Sequence, residues 1–380
     1  MVNPRRGRVA FVGPGFPPTS GGVEFVMENL ARIAATSGYE VDVLVQVVGA
    51  DRSLEPVERL SSGVVVRRFA SPLESRRFPI APGLAHYLRK HKADYQLIHG
   101  HSFHAAPSAL AALVTDLPLI FTPHYHGSGH TPLARAVHHL YSPFARYTFR
   151  RAAQVVAVSE QEAALLTARY PSIAKKLSTI YNGVDVDPIT AAPPYVESED
   201  VVLIAGRLED YKRVDLLLRS LPLLKGAAHL VVTGDGPASK HLGQLIRLLR
   251  LDSRVSLVGH LSRESLRRWQ RTASVYVTLS LHEAFNLGML EAIAARCKVL
   301  ASDIPAHREL VKFAPAGTAI LLPVDSGPQE VAIALDRLLS SPTPVSDGLT
   351  TLPTWDDAGS LYLRHYDRLA TLIPNSGLAG

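Results

Sequence analysis

The chain of 380 residues has little cysteine and few aromatic residues: one cysteine, Cys297, and 7% Phe, Trp and Tyr. A single cysteine excludes an intramolecular disulfide and fits a reducing compartment. No apolar run approaches the ~18 residues that cross a bilayer. The apolar run Val9–Val12 after the basic start is too short for a signal peptide. These absences predict a soluble, cytoplasmic protein.

The sequence also lacks long runs of charged residues of one sign. The 40 Lys and Arg against 34 Asp and Glu give a formal net charge of +6, which suits anionic partners such as nucleotide diphosphates or lipid surfaces. No long Lys/Arg block or basic-aromatic module is present, so we expect no nucleic-acid partner. The composition, 47% hydrophobic and 19% charged, is typical of a globular protein, and the length predicts two domains.

Short apolar runs alternate with helical patterns, which predicts βαβ units and parallel sheets. Residues 191–200 are Pro-rich and then acidic, which indicates an interdomain linker. We therefore predict an α/β protein of two Rossmann-like, doubly wound domains, residues 1–190 and 201–354. Residues 355–380 begin with helical apolar spacing and could close the second domain or, as we expect, join the first. The predicted strands are Val9–Val12, Val41–Val47, Val64–Phe69, Gln96–His99, Pro118–Thr122, Gln154–Val158, Leu177–Tyr181, Val201–Ala205, His229–Thr233, Arg254–Val258, Val275–Leu279 and Lys298–Ala301.

Ligands of such sheets bind at the carboxyl ends of the strands, so the loops after strands are the candidate sites. The first loop, Gly13–Gly22, ends in Gly21 and Gly22, where a helix is predicted to begin. Glycines let the backbone approach a ligand, and free N–H groups at a helix start attract anions. We favour an anion or sugar site over a flexible turn. Neither a dinucleotide fingerprint nor a Walker pattern is present.

Two histidine-rich loops follow strands: Ile98–His104 and Thr122–Gly127. His-x-His spacing can serve zinc, but no cysteine or obvious carboxylate accompanies either loop. We favour a neutral, polar surface that contacts a sugar; packed histidines and a metal site are the alternatives.

Two loops of the second domain carry charge or glycine. Arg207 and Lys212 lie in Ala205–Arg213, and two cations there suit a departing diphosphate, with a solvated charge run as the alternative. Gly234 lies in Thr233–Pro237, which is a turn signal whatever its function.

The most specific stretch is Leu281–Ala292. If Glu283 lies in the loop and Glu291 one turn inside the following helix, both carboxylates can face one pocket. The amides from Asn286 onward would open the helix toward a phosphate. The alternative is an acidic residue that favours the helix dipole plus a surface glutamate.

Taken together, these residues resemble the retaining glycosyltransferases of family 4, over nearly the whole chain. The resemblance implies the GT-B architecture, two Rossmann-like domains facing across a cleft. Each motif alone is common, but their order and spacing are specific. The motifs are Pro17–Gly22, His99–His101, Tyr181–Asp185, Gly206–Leu208 with Lys212, Gly234–Pro237, and Glu283–Glu291.

The resemblance also implies roles for individual residues. The implied catalytic residues lie near the transferred sugar or hold the diphosphate, and the implied donor-binding residues contact phosphate, sugar or ribose. His126 is close enough in sequence to be an alternative to His124. The catalytic set is His124, Arg207, Lys212 and Glu283; the donor-binding set is Gly21, Gly22, Gly234, Asn286, Leu287 and Glu291, with Glu291 on the ribose.

Two positions depart from the family pattern. Asn286 and Arg296 stand where glycine is usual, so the backbone there is expected to be less free. Asp185-Val186-Asp187 looks like the metal-binding Asp-x-Asp of the other large transferase fold, but it lies in the Asn-Gly-Val-Asp stretch. We interpret it as a turn and predict that no metal or other cofactor is required.

The predicted activity is retaining transfer of a hexosyl group from a nucleotide-diphosphate sugar, UDP or GDP first, to an unidentified hydroxyl acceptor. A nucleotide-sugar epimerase or glycosyl phosphorylase of the same architecture is one alternative, and a non-catalytic nucleotide-sugar-binding protein is another. The basic and aromatic segments Arg76–Phe78 and Leu133–Arg151 allow peripheral membrane association. The sequence does not specify an oligomeric state.

Overall fold

The computed structural model describes residues 6–18, 21–72, 80–103, 105–127, 143–197, 200–342 and 351–371. In chain order the described strands are β1 (Arg8–Gly13), β2 (Glu40–Val47), β3 (Val57–Arg59), β4 (Val65–Ala70), β5 (Leu97–His101), β6 (Leu119–Thr122), β7 (Gln154–Ala157), β8 (Leu177–Thr179), β9 (Asp200–Ala205), β10 (Ala228–Thr233), β11 (Val255–Gly259), β12 (Val275–Thr278), β13 (Lys298–Ser302) and β14 (Ala319–Leu322).

Helices separate most of these strands, and residues 143–151 are also helical. The described α-helices are α1 (Gly22–Thr36), α2 (Pro82–His91), α3 (Ala106–Val114), α4 (Glu160–Arg169), α5 (Val186–Thr190), α6 (Val214–Ser220), α7 (Ser239–Leu248), α8 (Arg263–Thr272), α9 (Leu287–Ala294), α10 (Pro305–Val311), α11 (Pro328–Ser340) and α12 (Trp355–Ala370).

The chain divides into two compact units. The first comprises Met1–Asn182 and Trp355–Gly380, and the second comprises Gly183–Thr354. This division falls eight residues before the predicted end of the first domain at residue 190. The reason is α5, which packs against α8 and α9 of the second unit and therefore belongs to it.

The first unit contains an eight-stranded sheet in the order β3-β4-β2-β1-β5-β6-β7-β8. Every neighbouring pair is parallel except the antiparallel edge pair of β3 and β4. The inner strands are apolar on both faces because helices cover both sides of a parallel sheet. Strand β3 has only three residues, Val-Glu-Arg, and was not predicted because so short a run has no measurable alternation.

Helix α12 packs against α1 and completes the first unit. A Cβ added to Gly359 would lie 2.6 Å from Ile33 Cγ2, so the two helices approach closely only because residue 359 has no side chain. Trp355, the first residue of α12, packs edge-on against Phe25, and about three turns later the Tyr366 hydroxyl lies 2.7 Å from His99 Nδ1.

The second unit contains a six-stranded parallel sheet in the order β11-β10-β9-β12-β13-β14. Its core joins strand residues such as Val202 and Leu230 to α6, α7 and α11. Strand β14 was not predicted.

The predicted linker is packed against the second unit over the part that the structure describes. Tyr195 N–H donates to Thr272 Oγ1 at 2.8 Å, and the Tyr195 ring contacts both Trp269 and the guanidinium of Arg268 on α8. Asp200 already belongs to β9. The Pro-rich composition therefore marks an irregular segment that follows the boundary, not the boundary itself.

Candidate active site

The loops after β9 and β12 bring Lys212 and Glu283 together. Lys212 Nζ donates to Glu283 Oε1 at 2.5 Å, and their side chains are only 19% and 12% exposed. Burial disfavours charge on both groups, but their mutual attraction and hydrogen bond outweigh it. The pKa of Lys212 is therefore raised and the pKa of Glu283 is lowered. The pair is ionised and positioned before any ligand arrives.

Arg207 lies in the loop after β9, five residues before Lys212. Its guanidinium donates to Glu209 Oε1 at 2.7 Å, and its side chain is 63% exposed. The charge of Arg207 acts on Lys212 and lowers its affinity for a proton, so the two cations lie within electrostatic range. An exposed, planar guanidinium next to a buried ammonium group suits an incoming anion.

Glu291 is held by a different set of partners from Glu283. Its carboxylate accepts from Arg263 Nη2 at 2.8 Å and from Gln270 Nε2 at 3.0 Å, both on α8. Glu291 and Glu283 nevertheless both act on the buried hydroxyl of Tyr276, whose pKa is raised by burial first and by the two carboxylates next. The two glutamates therefore lie in one region of the second unit, although they share no hydrogen-bond partner among the residues that the structure describes.

Sequence reasoning did not identify Arg263, Gln270 or Tyr276. Helix α8, Arg-Glu-Ser-Leu-Arg-Arg-Trp-Gln-Arg-Thr, reads as a solvated basic helix. Only the packed structure shows that Gln270 is buried and faces Glu291. No sequence signal distinguishes it from the exposed polar residues of the same helix.

Helix α9 begins directly after Asn286, which has φ 84°. This is the left-handed conformation that glycine adopts most easily. The Asn286 side chain accepts from Met289 N–H at 3.1 Å and so caps the helix. At the other end of α9, Arg296 has φ 69°. Both residues that replace the usual glycine thus keep the backbone conformation that a glycine would take.

Gly234 has a packing reason to be glycine. Its φ is 119°, and an added Cβ would lie 1.9 Å from the carbonyl oxygen of Gly206. The loops after β9 and β10 therefore cross closely, next to Arg207. The predicted contact of Gly234 with the donor stays a prediction.

In the first unit, α1 begins at Gly22 as predicted, with Gly21 at the N-cap position. Gly21 has φ 179°, which is extended backbone and requires no glycine. The preceding loop is held by Arg68 of β4, whose guanidinium donates to the Pro17 carbonyl at 3.0 Å and to Glu58 at 2.7 Å.

His99 and His101 lie within β5 and not in a loop after it, His124 follows β6, and all three are buried and neutral. His99 is fully packed: Nδ1 lies 2.7 Å from the Tyr366 hydroxyl and Nε2 lies 2.9 Å from Thr122 Oγ1. His101 Nδ1 lies 3.2 Å from His124 Nε2. Burial lowers the pKa of all three histidines, that of His124 to about 3. His99 is thus a packed histidine, whereas His101 and His124 form a neutral pair at the edge of the sheet.

His124 has φ 50° and is buried, while His126 is half-buried. The loop that carries them is held by Glu162 of α4, whose carboxylate accepts from Tyr125 N–H and, at 2.7 Å, from Val158 N–H. Burial raises the pKa of Glu162 to about 8, against the opposing effect of these two N–H groups. Which histidine contacts the sugar stays a prediction, and His104 lies outside the described residues.

Within the described ranges, no three His, Cys, Asp or Glu side chains are grouped as a metal site would need. Asp185, the first residue of the Asp-x-Asp stretch, precedes α5 and pairs with Arg267 at 3.3 Å. None of the described helices is both long enough and apolar enough to cross a membrane. The segment Arg76–Phe78 and most of Leu133–Arg151 lie outside the described residues, so membrane association stays a prediction.

Two sequence profiles match the chain: Glycosyltransferase Family 4 over residues 20–188 and Glycosyl transferases group 1 over residues 199–341. The chain is 26% identical over 371 residues to the D-inositol 3-phosphate glycosyltransferase of Kineococcus radiotolerans, covering 85% of this chain and 83% of that protein. It is 29% identical over 329 residues to the GDP-mannose:cellobiosyl-diphosphopolyprenol alpha-mannosyltransferase of Xanthomonas oryzae pv. oryzae, covering 82% and 83%.

A sucrose-phosphate synthase from Thermosynechococcus elongatus has a similar fold, with a TM-score of 0.79 and 20% identity over 97% of this chain and all of that one. Two doubly wound α/β units of this kind define the GT-B fold. The chain belongs to glycosyltransferase family 4.

Proposed function

We propose that the protein transfers a hexosyl group from a UDP- or GDP-sugar to a hydroxyl acceptor, with retention of configuration at the anomeric carbon. The observation that carries this proposal is the ionised Lys212–Glu283 pair next to the exposed guanidinium of Arg207. The GDP-mannose donor in the name of the Xanthomonas relative supports a nucleotide-diphosphate sugar.

In the proposed reaction, the bond between the anomeric carbon and the diphosphate oxygen breaks through an oxocarbenium-like state. The acceptor oxygen bonds to the same face of the sugar, and its proton passes to the departing diphosphate. Arg207 and Lys212 stabilise the charge that develops on the leaving group, since preorganised cations act most strongly where charge appears. Glu283 keeps Lys212 charged and lies beside the transferred sugar.

Glu291 is proposed to bind the ribose hydroxyls. Each oxygen of its carboxylate already accepts one hydrogen bond, from Arg263 and from Gln270. A carboxylate has about four acceptor positions, so two remain for vicinal hydroxyls. The two α8 side chains would orient the carboxylate for that contact.

The proposal is tested with Arg207→Ala and Lys212→Ala. Each preorganised donor contributes about 3–4 kcal/mol to the transition state, so we expect kcat to fall roughly 10²–10³-fold in each variant. The matched control is Lys225→Ala, an exposed lysine before β10, at the opposite edge of the same sheet. Turnover near that of the wild type in both Arg207→Ala and Lys212→Ala would exclude the assignment.

The donor is identified by thermal shift with UDP-, GDP-, ADP- and dTDP-sugars and the free diphosphates, without added metal. A ligand at 100 times its Kd stabilises the protein by ~2.7 kcal/mol. We expect one nucleotide to raise the Tm, and the rise to disappear in Glu291→Ala.

We also propose that the transfer needs no metal. Activity in EDTA should equal activity in buffer. Complete loss in chelator that a divalent cation restores would show that the proposal is wrong.

A further inference from the structure

His307 of α10 is buried at zero exposure, and both of its ring nitrogens have partners. Nδ1 lies 2.8 Å from the carbonyl oxygen of Ser302. A carbonyl oxygen can only accept, so Nδ1 carries the proton. In the neutral ring Nε2 is then an acceptor, and it lies 2.9 Å from Nδ2 of Asn286.

The Asn286 amide is oriented by two further contacts. Its oxygen accepts from Met289 N–H, and its nitrogen donates to Thr278 Oγ1 at 3.0 Å. The amide nitrogen therefore donates toward Thr278 and His307. An Nε2 that accepts from Asn286 agrees with the proton being on Nδ1, as the Ser302 carbonyl requires. Each polar atom of the amide has a partner, and no other orientation satisfies all of them.

These bonds act on a residue in an uncommon conformation. Asn286 has φ 84° immediately before α9. Asparagine tolerates this conformation better than most residues with a Cβ, but at a cost that its hydrogen bonds offset. A glycine would need no such support. His307 also lies within electrostatic range of the candidate active site, because the charges of Glu283 and Lys212 both act on it.

We propose that His307 is a positioning residue: through Asn286 it holds the start of α9 in the conformation that receives the nucleotide-diphosphate donor. His307 itself does not touch the donor. The functional part of this inference rests on the proposed function, but the dependence of residue 286 on residue 307 does not.

Two substitutions separate the two ring nitrogens of His307. In His307→Gln, the side-chain oxygen reaches the position of Nε2 and can still accept from Asn286. In His307→Asn, the side-chain nitrogen replaces Nδ1 and can still donate to Ser302, but nothing replaces Nε2, and the Asn286 nitrogen keeps only its bond to Thr278. Because Asn also leaves a larger cavity than Gln at this buried site, the loss of packing is separated from the loss of the Asn286 bond by repeating His307→Asn in an Asn286→Gly background.

The experiment compares wild type, His307→Gln, His307→Asn, Asn286→Gly and the double variant Asn286→Gly/His307→Asn. The measurements are the Tm of each protein and its Kd for UDP and for GDP by calorimetry. We expect His307→Asn to weaken diphosphate binding at least tenfold and to lower the Tm. His307→Gln should stay within about threefold of wild type. Asn286→Gly changes a residue of the donor-binding set and serves only as the background against which the double variant is compared. The double variant should bind like Asn286→Gly, because a glycine at position 286 does not need His307.

Equal losses from His307→Asn in the wild-type and Asn286→Gly backgrounds would overturn the proposal, as would wild-type binding by His307→Asn. Unfolding of His307→Asn in both backgrounds would also overturn it, by assigning His307 a packing role alone. If the wild type binds neither UDP nor GDP, the proposed donor is wrong. The Tm values then decide whether His307 positions Asn286. A lower Tm for His307→Asn than for wild type, without a lower Tm for the double variant than for Asn286→Gly, supports the positioning role. Equal decreases in the two backgrounds reject it.

Discussion

At the scale of single residues, uncommon backbone conformations mark the candidate sites. Among the described residues, four that are not glycine and have positive φ lie in segments that connect the carboxyl end of a strand to the next helix. Ligands bind sheets of this kind at that end of the strands. Two others end helices. Strained residues of this kind persist where the surrounding structure holds them, often at functional sites. The first four are Ser102, His124, Arg213 and Asn286, and the other two are Arg250 and Arg296.

The close crossing at Gly234 gives a prediction at this scale. In Gly234→Ala the added Cβ would lie 1.9 Å from the Gly206 carbonyl oxygen, at a φ of 119°. We expect the free energy of unfolding to fall by at least about 3 kcal/mol, because backbone must move to relieve the overlap. Urea unfolding measures the change.

The matched control is Gly226→Ala in an exposed turn, where an added Cβ meets no atom within 4 Å. Its free energy of unfolding should change by less than about 0.5 kcal/mol. Similar values for the two variants would contradict the close approach of the loops.

At the scale of elements, α9 is defined at both ends by left-handed residues that are not glycine. Asn286 has a side chain suited to this conformation, because it caps the helix. Arg296 is exposed, and its φ of 69° lies just beyond the last turn. The C-terminal end of α9 is therefore less favourable than it would be with glycine.

Replacing Arg296 with glycine should stabilise the second unit. The left-handed conformation costs an L-residue about 1–2 kcal/mol, and part of the gain is lost because glycine makes the unfolded chain more flexible. We expect a net gain of about 0.5–1 kcal/mol, measured by urea unfolding. Arg296→Ala is the control and should give no gain, because alanine has the same steric cost. A gain in both variants would mean that removal of the arginine charge, and not the backbone, is responsible.

At the scale of the whole molecule, neutral histidines make the fold sensitive to acid. Burial lowers the pKa of His99, His101 and His124 in the first unit. In the unfolded chain these groups return to their ordinary pKa of 6.5. As the pH falls below that value, the unfolded chain takes up protons that the folded unit excludes. The stability is thus fully present above pH 6.5 and is lost progressively on acidification.

Each such histidine contributes a slope of about 1.4 kcal/mol per pH unit. Asparagine at position 124 retains a side chain tolerant of positive φ. We expect His124→Asn to reduce the number of protons taken up on unfolding by about one between about pH 6.5 and 5. Trp355 reports on the first unit and Trp269 on the second, so urea unfolding is followed by fluorescence in a Trp269→Phe background. His86→Gln, at an exposed histidine of the same unit, is the control and should leave the slope unchanged. An unchanged slope in His124→Asn would show that His124 is already protonated or exposed.

Much of the architecture is predictable from the sequence because the inner strands of both sheets are parallel and buried on both faces. Each of the twelve predicted strands overlaps a strand of the structure, and the strands that were missed are at sheet edges: β3 has three residues, and β14 is partly exposed. The position of α12 was left between two possibilities by its apolar spacing. Its contact with α1 decides it, since Gly359 allows a close approach to Ile33 that no periodicity can reveal.

The sequence by itself determined the class of fold and predicted some residues of the candidate site, because strand-helix alternation and short motifs are local patterns. Only the tertiary structure decided the pairing of those residues. Lys212 and Glu283 are 71 positions apart and meet because β9 and β12 are neighbours in the sheet. Glu291 meets Gln270, and Asn286 meets His307, for the same reason: packing joins distant segments and buries their polar groups, which must then find partners.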